Sequence, residues 1–90
     1  MISHRNEDFH KAYLSLPKSV QDQAKRDFRL FVEDPFHASL HFKQVKENPP
    51  WWSVRIGRPY RALGVRKNAD TIVWFWIGTH TEYDRLIAKP

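Results

Sequence analysis

The side chains that could carry out chemistry lie in the middle and near the end of the sequence. Arg55 and Arg61 flank the turn Gly57-Arg58-Pro59, and His80 and Tyr83 follow the last apolar segment. Two guanidinium groups can bind one phosphate through forked hydrogen bonds, and an imidazole can transfer a proton near neutral pH. Metal-free RNA cleavage needs a base at the 2′-hydroxyl, cations around the phosphorus and an acid at the 5′-oxygen. Arg55, Arg61 and His80 are therefore predicted to be catalytic.

Each candidate also has an interpretation without catalysis. The two arginines could form surface ion pairs with Glu47 or Asp84. Tyr83 lies in helical register with Leu86, which favours packing in the core, although its ring could stack on an unpaired base. His80 could be an ordinary surface residue, but a helix N-terminus disfavours a positive charge and so favours the imidazole as a base.

The net charge of +5 is concentrated in the middle of the chain. Basic and acidic side chains cancel in residues 1–34, whereas residues 35–69 carry seven basic side chains against Glu47 alone. Such a patch usually faces a polyanion, although a solvated surface without a ligand is the other interpretation. The basic residues predicted to bind RNA outside the catalytic group are Lys43, Lys46, Arg58, Arg66 and Lys67.

Composition narrows the class of protein. The 90 residues contain no cysteine, which excludes disulfides, thiolate metal sites and a cysteine nucleophile. No two of the five histidines have convincing metal-site spacing, so neither a metal nor a cofactor is predicted. The longest apolar run, Ile72 to Ile77, is far shorter than a membrane span. A cytoplasmic protein with no membrane partner, folded as one domain over residues 1–90, is expected.

Apolar spacing predicts two helices at the start of the chain. Asn6 has the side chain of an N-cap, and Phe9 and Tyr13 then recur at helical intervals. Pro17 suits the start of a second helix, which Asp34-Pro35 ends. Its apolar stripe consists of Val20, Ala24, Phe28 and Phe31. Two short helices with a tight connection predict an αα-hairpin.

The period changes to two after an irregular segment predicted over residues 35–50. Strands are predicted from Trp52 to Ile56, Tyr60 to Val65 and Thr71 to Ile77, with the hairpin between the last two at Arg66 to Asp70. The third strand is apolar on both faces and should be central and covered on both sides. Residues 1–3 could add a short strand.

The tryptophans and the last helix complete the predicted architecture. Alternation directs either Trp51 or Trp52 outward, where it could stack on RNA, whereas Trp74 and Trp76 are predicted to be core. Residues 79–82, Thr-His-Thr-Glu, form a capping box that begins a C-terminal helix at His80. The predicted fold class is α+β, a two-layer structure with an N-terminal αα-hairpin packed on three or four antiparallel strands and a short C-terminal helix.

Several short segments occur in a characteristic order. They are Leu16-Pro17 before a helix that ends at Asp34-Pro35, Trp52 to Gly57, Pro59 to Ala62, and Trp76 to His80 followed by Tyr83-Asp84. In this order and spacing they resemble the RelE/ParE superfamily of toxin–antitoxin toxins over roughly residues 9–87. No single segment is specific, but their combination is.

For the RelE branch, the resemblance implies a ribosome-dependent ribonuclease that cuts mRNA in the decoding site. By position, the strands contribute Arg55 and Arg61, and the C-terminal segment contributes His80 and Tyr83. RelE tends to have a lysine where this chain has Ser53 and an arginine near where it has His80. YafQ and YoeB place a histidine close to the C-terminus, and His80 resembles their arrangement. The implied partners are a cognate antitoxin, the ribosome and mRNA.

Two other functions remain open. A ParE-like protein would inhibit gyrase by protein–protein contact and would need no catalytic residues. A noncatalytic homologue would only bind nucleic acid. The acid–base candidates beside two arginines favour the endonuclease, although ParE-like chains are also basic.

Overall fold

The computed structural model describes residues 1–89, which form five strands and three α-helices. In chain order these are β1 (Ile2–Arg5), α1 (Glu7–Leu14), α2 (Lys18–Glu33), β2 (Lys43–Lys46), β3 (Trp51–Ile56), β4 (Tyr60–Asn68), β5 (Thr71–Thr79) and α3 (His80–Ala88), with a 3₁₀ turn at Ala38–Leu40. The α+β class, the αα-hairpin and the C-terminal helix agree with the prediction. No helix in this part of the chain is long and apolar enough to cross a membrane.

The sheet has the strand order β1-β5-β4-β3-β2 and is mixed. All neighbours are antiparallel except β1 and β5, which run parallel. The prediction of three or four antiparallel strands was therefore short by at least one strand. The prediction of an irregular segment over residues 35–50 missed β2, whose sequence Lys-Gln-Val-Lys lacks apolar alternation because it lies at the sheet edge.

The hairpin between β4 and β5 is tighter than predicted. Strand β4 continues to Asn68, β5 runs on to Thr79, and only Ala69 and Asp70 lie between the two strands. Arg66 was predicted to lie in the hairpin but pairs with Ile72 across the ladder. Backbone hydrogen bonds do not depend on side-chain polarity, so the polar end of β4 gives no apolar signal.

The core lies between the sheet and the two N-terminal helices. Phe28 and Phe31 of α2 meet Trp74 of β5 edge to face, with ring centroids 5.2 and 5.3 Å apart. Phe9 of α1 contacts Phe28 at 5.6 Å, so aromatic pairs connect both helices to the sheet. Edge-to-face pairs add about 0.5–1.5 kcal/mol each beyond the area that they bury.

Helix α3 lies on the opposite face of the sheet. Side chains alternate along β3, so the buried core residue Val54 points toward α1 and α2 while Ser53 points away from them. Tyr83 of α3 is hydrogen-bonded to Ser53. The structure therefore adds a partial third layer to the predicted two-layer arrangement, because α3 covers part of the second face of the sheet.

The tryptophans follow the pleat of the sheet. Trp52 packs against the core and Phe42, whereas Trp51 contacts Phe75 on the second face. Trp51 is thus the outward tryptophan of the pair. Trp74 is fully buried as predicted, but Trp76 is only half-buried and was wrongly assigned to the core.

Candidate functional site

The first turn of α3 is attached to the turn between β3 and β4. Thr79 caps the helix, because its hydroxyl oxygen accepts from the Glu82 backbone N–H while the Glu82 carboxylate accepts from the Thr79 N–H. His80 is the first helical residue, and its backbone N–H donates to the carbonyl of Pro59 at 2.8 Å. The predicted capping box is confirmed, and it brings the imidazole next to the arginine-bearing hairpin.

Arg55 and Arg61 lie directly opposite each other on β3 and β4. Arg61 donates from Nη1 to the carbonyl oxygens of Arg58 and Tyr60 at 2.8 and 2.7 Å. Burial lowers the pKa of Arg61, and the charge of Arg55 is the second cause that lowers it. Two like charges directly opposite each other are unfavourable, and an anion that binds both would relieve this repulsion.

The arginine pair has no carboxylate partner. Within residues 1–89 the ion pairs are Lys11–Glu7, Lys18–Asp22 and His80–Asp84. The alternative of surface ion pairs to Glu47 or Asp84 is therefore not realised for Arg55 or Arg61. Both guanidinium groups keep donors available for an external anion.

His41 is a member of the site that the sequence did not reveal. Its Nε2 lies 3.2 Å from Nη1 of Arg55. A guanidinium has only donors, so the histidine nitrogen must accept this bond and is unprotonated there. His41 also adopts a left-handed backbone conformation with a φ of 47°. That conformation is uncommon for a residue with a side chain, and here it ends the 3₁₀ turn at Ala38–Leu40.

His80 has a carboxylate neighbour on its own helix. Its Nε2 lies 3.4 Å from Oδ1 of Asp84, one turn further along α3. Both side chains are more than half exposed, at 52% and 60%. In the tautomer that carries its proton on Nε2, that nitrogen faces Asp84 and Nδ1 is the acceptor. The contact thus gives the ring a preferred orientation while the other nitrogen stays open to a substrate.

Tyr83 combines packing with a polar contact. Its side chain is buried, and its hydroxyl donates to Oγ of Ser53 at 3.0 Å. Ser53 is itself buried. The core-packing interpretation of Tyr83 is therefore correct, and its hydroxyl nevertheless faces the site.

These side chains meet in one narrow cleft of about 90 Å³. Its walls are formed by His41, Lys43, Ser53, Arg55, Arg61, His80 and Tyr83. All four residues predicted to be catalytic converge there, together with Lys43. Three larger cavities, of about 300, 350 and 570 Å³, are lined by residues within 1–89 and contain no histidine.

The remaining residues predicted to bind RNA lie outside the cleft. Arg58 is exposed in the β3–β4 turn, and Lys67 is exposed near the end of β4. Lys46 lies over the ring of Trp51, with Nζ 4.6 Å from its centroid. Arg66 packs over Trp52 on the core face at 4.5 Å, so it points away from the cleft.

The cleft brings together cationic and proton-transferring side chains. It combines three cations, two imidazoles and a phenol. Among residues 1–89, no group of three or more histidine, aspartate or glutamate side chains is arranged to hold a metal ion. The cations can bind a phosphate, and the imidazoles can exchange protons with its ester oxygens.

Comparison with known proteins gives a family and a fold. The family model of the ParE-like toxin domain matches residues 18–85. No curated protein matches the sequence. Among solved structures, a chain of the archaeal RelE–RelB complex from Pyrococcus horikoshii OT3 is 16% identical with a TM-score of 0.69, and the alignment covers 87% of this chain and 92% of that chain.

Two further structures share the fold. A chain of the RelB–RelE antitoxin–toxin complex from Methanococcus jannaschii is 19% identical, with a TM-score of 0.69 and coverage of 91% of this chain and 96% of that chain. The YoeB/ParE toxin from Agrobacterium tumefaciens is 14% identical, with a TM-score of 0.68 and coverage of 89% and 99%. At these identities the likeness concerns the fold alone.

Proposed function

Because the chain belongs to the ParE-like toxin family, within the RelE/ParE superfamily of toxin–antitoxin toxins, we propose that it inhibits translation by cutting mRNA on the ribosome without a metal ion. The observation that carries this proposal is the convergence of Arg55, Arg61, His80 and Tyr83 on one cleft. A protein that acted only by contact would not need imidazoles beside a pair of arginines in one cleft.

In the proposed reaction, the guanidinium groups of Arg55 and Arg61 hold the scissile phosphate and stabilise the charge of the pentacoordinate transition state. His80 takes the proton of the 2′-hydroxyl, whose oxygen forms a new bond to phosphorus. The bond from phosphorus to the 5′-oxygen breaks, and that oxygen takes a proton from a second group in the cleft. Tyr83, whose hydroxyl faces the cleft, is the candidate for this acid. The products are a 2′,3′-cyclic phosphate and a free 5′-hydroxyl.

The proposed partners are the ribosome with its mRNA and a cognate antitoxin, all in the cytoplasm. Support for the antitoxin comes from the two archaeal neighbours, whose structures are RelE–RelB complexes. The basic segment 43–67 supplies the positive charge that an acidic partner would cover.

The test compares the parent protein with His80→Ala and Arg61→Ala on ribosomes programmed with a defined mRNA. Toeprinting should show a stop within the decoding-site codon for the parent. His80→Ala should lose about 10²–10⁴-fold of the cleavage rate, and Arg61→Ala about 10²–10³-fold, while both still bind ribosomes. Lys11→Ala, on the helical hairpin, is the matched control and should cleave normally. Equal cleavage by all four proteins would contradict the proposal.

Gyrase inhibition is the second candidate function, and the match to the ParE-like family model favours it. A supercoiling assay on the same proteins separates the two. An mRNA endonuclease leaves gyrase unaffected, and its toxicity depends on His80. A gyrase inhibitor blocks supercoiling with or without His80 and leaves the mRNA intact.

A further inference from the structure

A second cavity on the α3 side of the sheet has a lining that the proposed reaction does not use. It has a volume of about 350 Å³. Half-buried apolar side chains form its inner lining, including Trp51, Val73 and Phe75, and the rings of Trp51 and Phe75 are 5.0 Å apart. Exposed polar side chains complete it, namely Asn6, Asp8 and Lys67. A few polar groups around an aromatic interior are typical of a ligand site.

This cavity is adjacent to the cleft along one strand. Trp51 lines the cavity and Ser53 lines the cleft. Residues two apart on a strand share a face and are separated by about 7 Å. Arg55 lies four residues from Trp51 on β3, about 14 Å along the strand. A polymer whose phosphate lies between Arg55 and Arg61 can therefore reach the aromatic lining with a residue further along its chain.

The chemistry of the lining selects one kind of occupant. Aromatic rings on an exposed sheet stack on unpaired bases, and the carboxylate of Asp8 repels a phosphate but accepts hydrogen bonds from N–H groups. Among the RNA bases, guanine alone presents two adjacent N–H donors, at N1 and N2, beside a carbonyl oxygen. Asn6 uses its Oδ1 to cap α1, which leaves its amide nitrogen free to donate to that carbonyl.

We propose that this cavity binds an unpaired guanine of the RNA substrate, further along the chain than the nucleotide whose phosphate is cut. Trp51 and Phe75 stack on the base, Asp8 and Asn6 recognise its edge, and Lys67 contacts a flanking phosphate. Lys67 forms no ion pair within residues 1–89 and is available for that contact. The proposal rests on the proposed function, because it assigns the base preference of the same RNA-cutting site.

The experiment measures equilibrium binding of fluorescein-labelled eight-nucleotide RNAs by anisotropy at about 50 mM salt, where phosphate contacts are strong. The RNAs are all-adenine or carry one central guanine or inosine, and 2′-O-methyl ribose prevents cleavage. The parent should bind the guanine RNA about tenfold or more tightly than the adenine RNA, with inosine between them. Asp8→Asn should remove most of this preference. Glu7→Gln, the neighbouring acid outside the cavity, is the matched control and should keep it.

A second variant tests stacking. Trp51→Leu should weaken binding of every RNA by about 5–100-fold. Circular dichroism checks the fold of Trp51→Leu. If Trp51→Leu does not fold, Asp8→Asn still tests the cavity, because it leaves the aromatic lining unchanged.

The outcomes separate this proposal from the proposed function. If ribosomes show cleavage while Asp8→Asn keeps the guanine preference, or the parent has none, the guanine site is wrong and the endonuclease stands. If Trp51→Leu folds and binds RNA as the parent does, the cavity takes another occupant, such as an apolar side chain of a protein partner. If the parent neither binds RNA nor cuts mRNA, both proposals fail.

Discussion

At the scale of single residues, the opposed arginines represent a conflict between stability and function. Arg55 and Arg61 are cross-strand neighbours with the same charge, and burial together with that charge lowers the pKa of Arg61. A lowered pKa means that the fold disfavours the charged form of a side chain that stays charged at neutral pH. We therefore expect the arrangement to cost the free protein stability, and under the proposed function a phosphate bound to both groups offsets that cost.

We expect Arg61→Gln to raise the free energy of unfolding by about 0.2–1 kcal/mol, the range for a like-charge pair across two strands. Urea unfolding at low and high salt measures it, and the gain should shrink as salt screens the parent's repulsion. Arg58→Gln, exposed in the adjacent turn, is the control and should change little. A loss of stability in Arg61→Gln would mean that its bonds to the carbonyls of Arg58 and Tyr60 outweigh the repulsion.

The position and burial of a site residue could be predicted from the sequence only where a local sequence pattern determines them. The capping box predicted the place of His80, and helical register predicted the burial of Tyr83. His41 had no such signal, because its contact with Arg55 joins a loop to a strand 14 positions away. Its left-handed backbone is likewise a property of the folded loop and not of a histidine in sequence.

At the scale of elements, strong periodicity predicted the helices and the central strands, whereas weak periodicity gave the edge strand β1 only as a possible short strand at residues 1–3 and missed the edge strand β2. Strand β1 has four residues and is held by β5 through parallel pairing, which is a contact between the two ends of the chain. Strand β2 is polar and irregular at Gln44 to Lys46. Both lie at the sheet edges, where fewer side chains are buried and the sequence therefore needs fewer apolar residues.

Helix α3 provides a test that separates the imidazole of His80 from the helix that carries it. Thr79→Ala removes the cap and should cost about 0.5–2 kcal/mol of stability, because the Glu82 N–H loses its acceptor. If His80 acts chemically, cleavage per folded molecule should remain within several-fold of the parent. Thermal unfolding and toeprinting on the same preparations measure both quantities. Should Thr79→Ala abolish cleavage as fully as His80→Ala at equal loss of stability, the helix and not the imidazole is required.

At the scale of the whole molecule, the fold redistributes the positive charge of residues 35–69 over two faces of the sheet. Lys43, Arg55 and Arg61 meet in the cleft, whereas Arg66 packs on the core face over Trp52. The sequence showed where the charge lies along the chain, but only the pleat of the strands decides which cations act together. The group of cations that lies on one face, and could bind one polyanion together, is therefore smaller than the cluster along the sequence.

This distribution predicts which cations control the salt dependence of RNA binding. Each phosphate contact to single-stranded RNA contributes about −0.7 to the slope of log K against log salt. Lys43→Gln should therefore reduce the magnitude of the slope by about 0.7 between roughly 50 and 200 mM salt. Lys11→Gln is the control, because Lys11 lies on α1 and pairs with Glu7 at 3.7 Å. Its slope should match that of the parent. Equal slopes for all three proteins would place the bound RNA away from the cleft, and a lower slope for Lys11→Gln would mean that RNA contacts the helical hairpin.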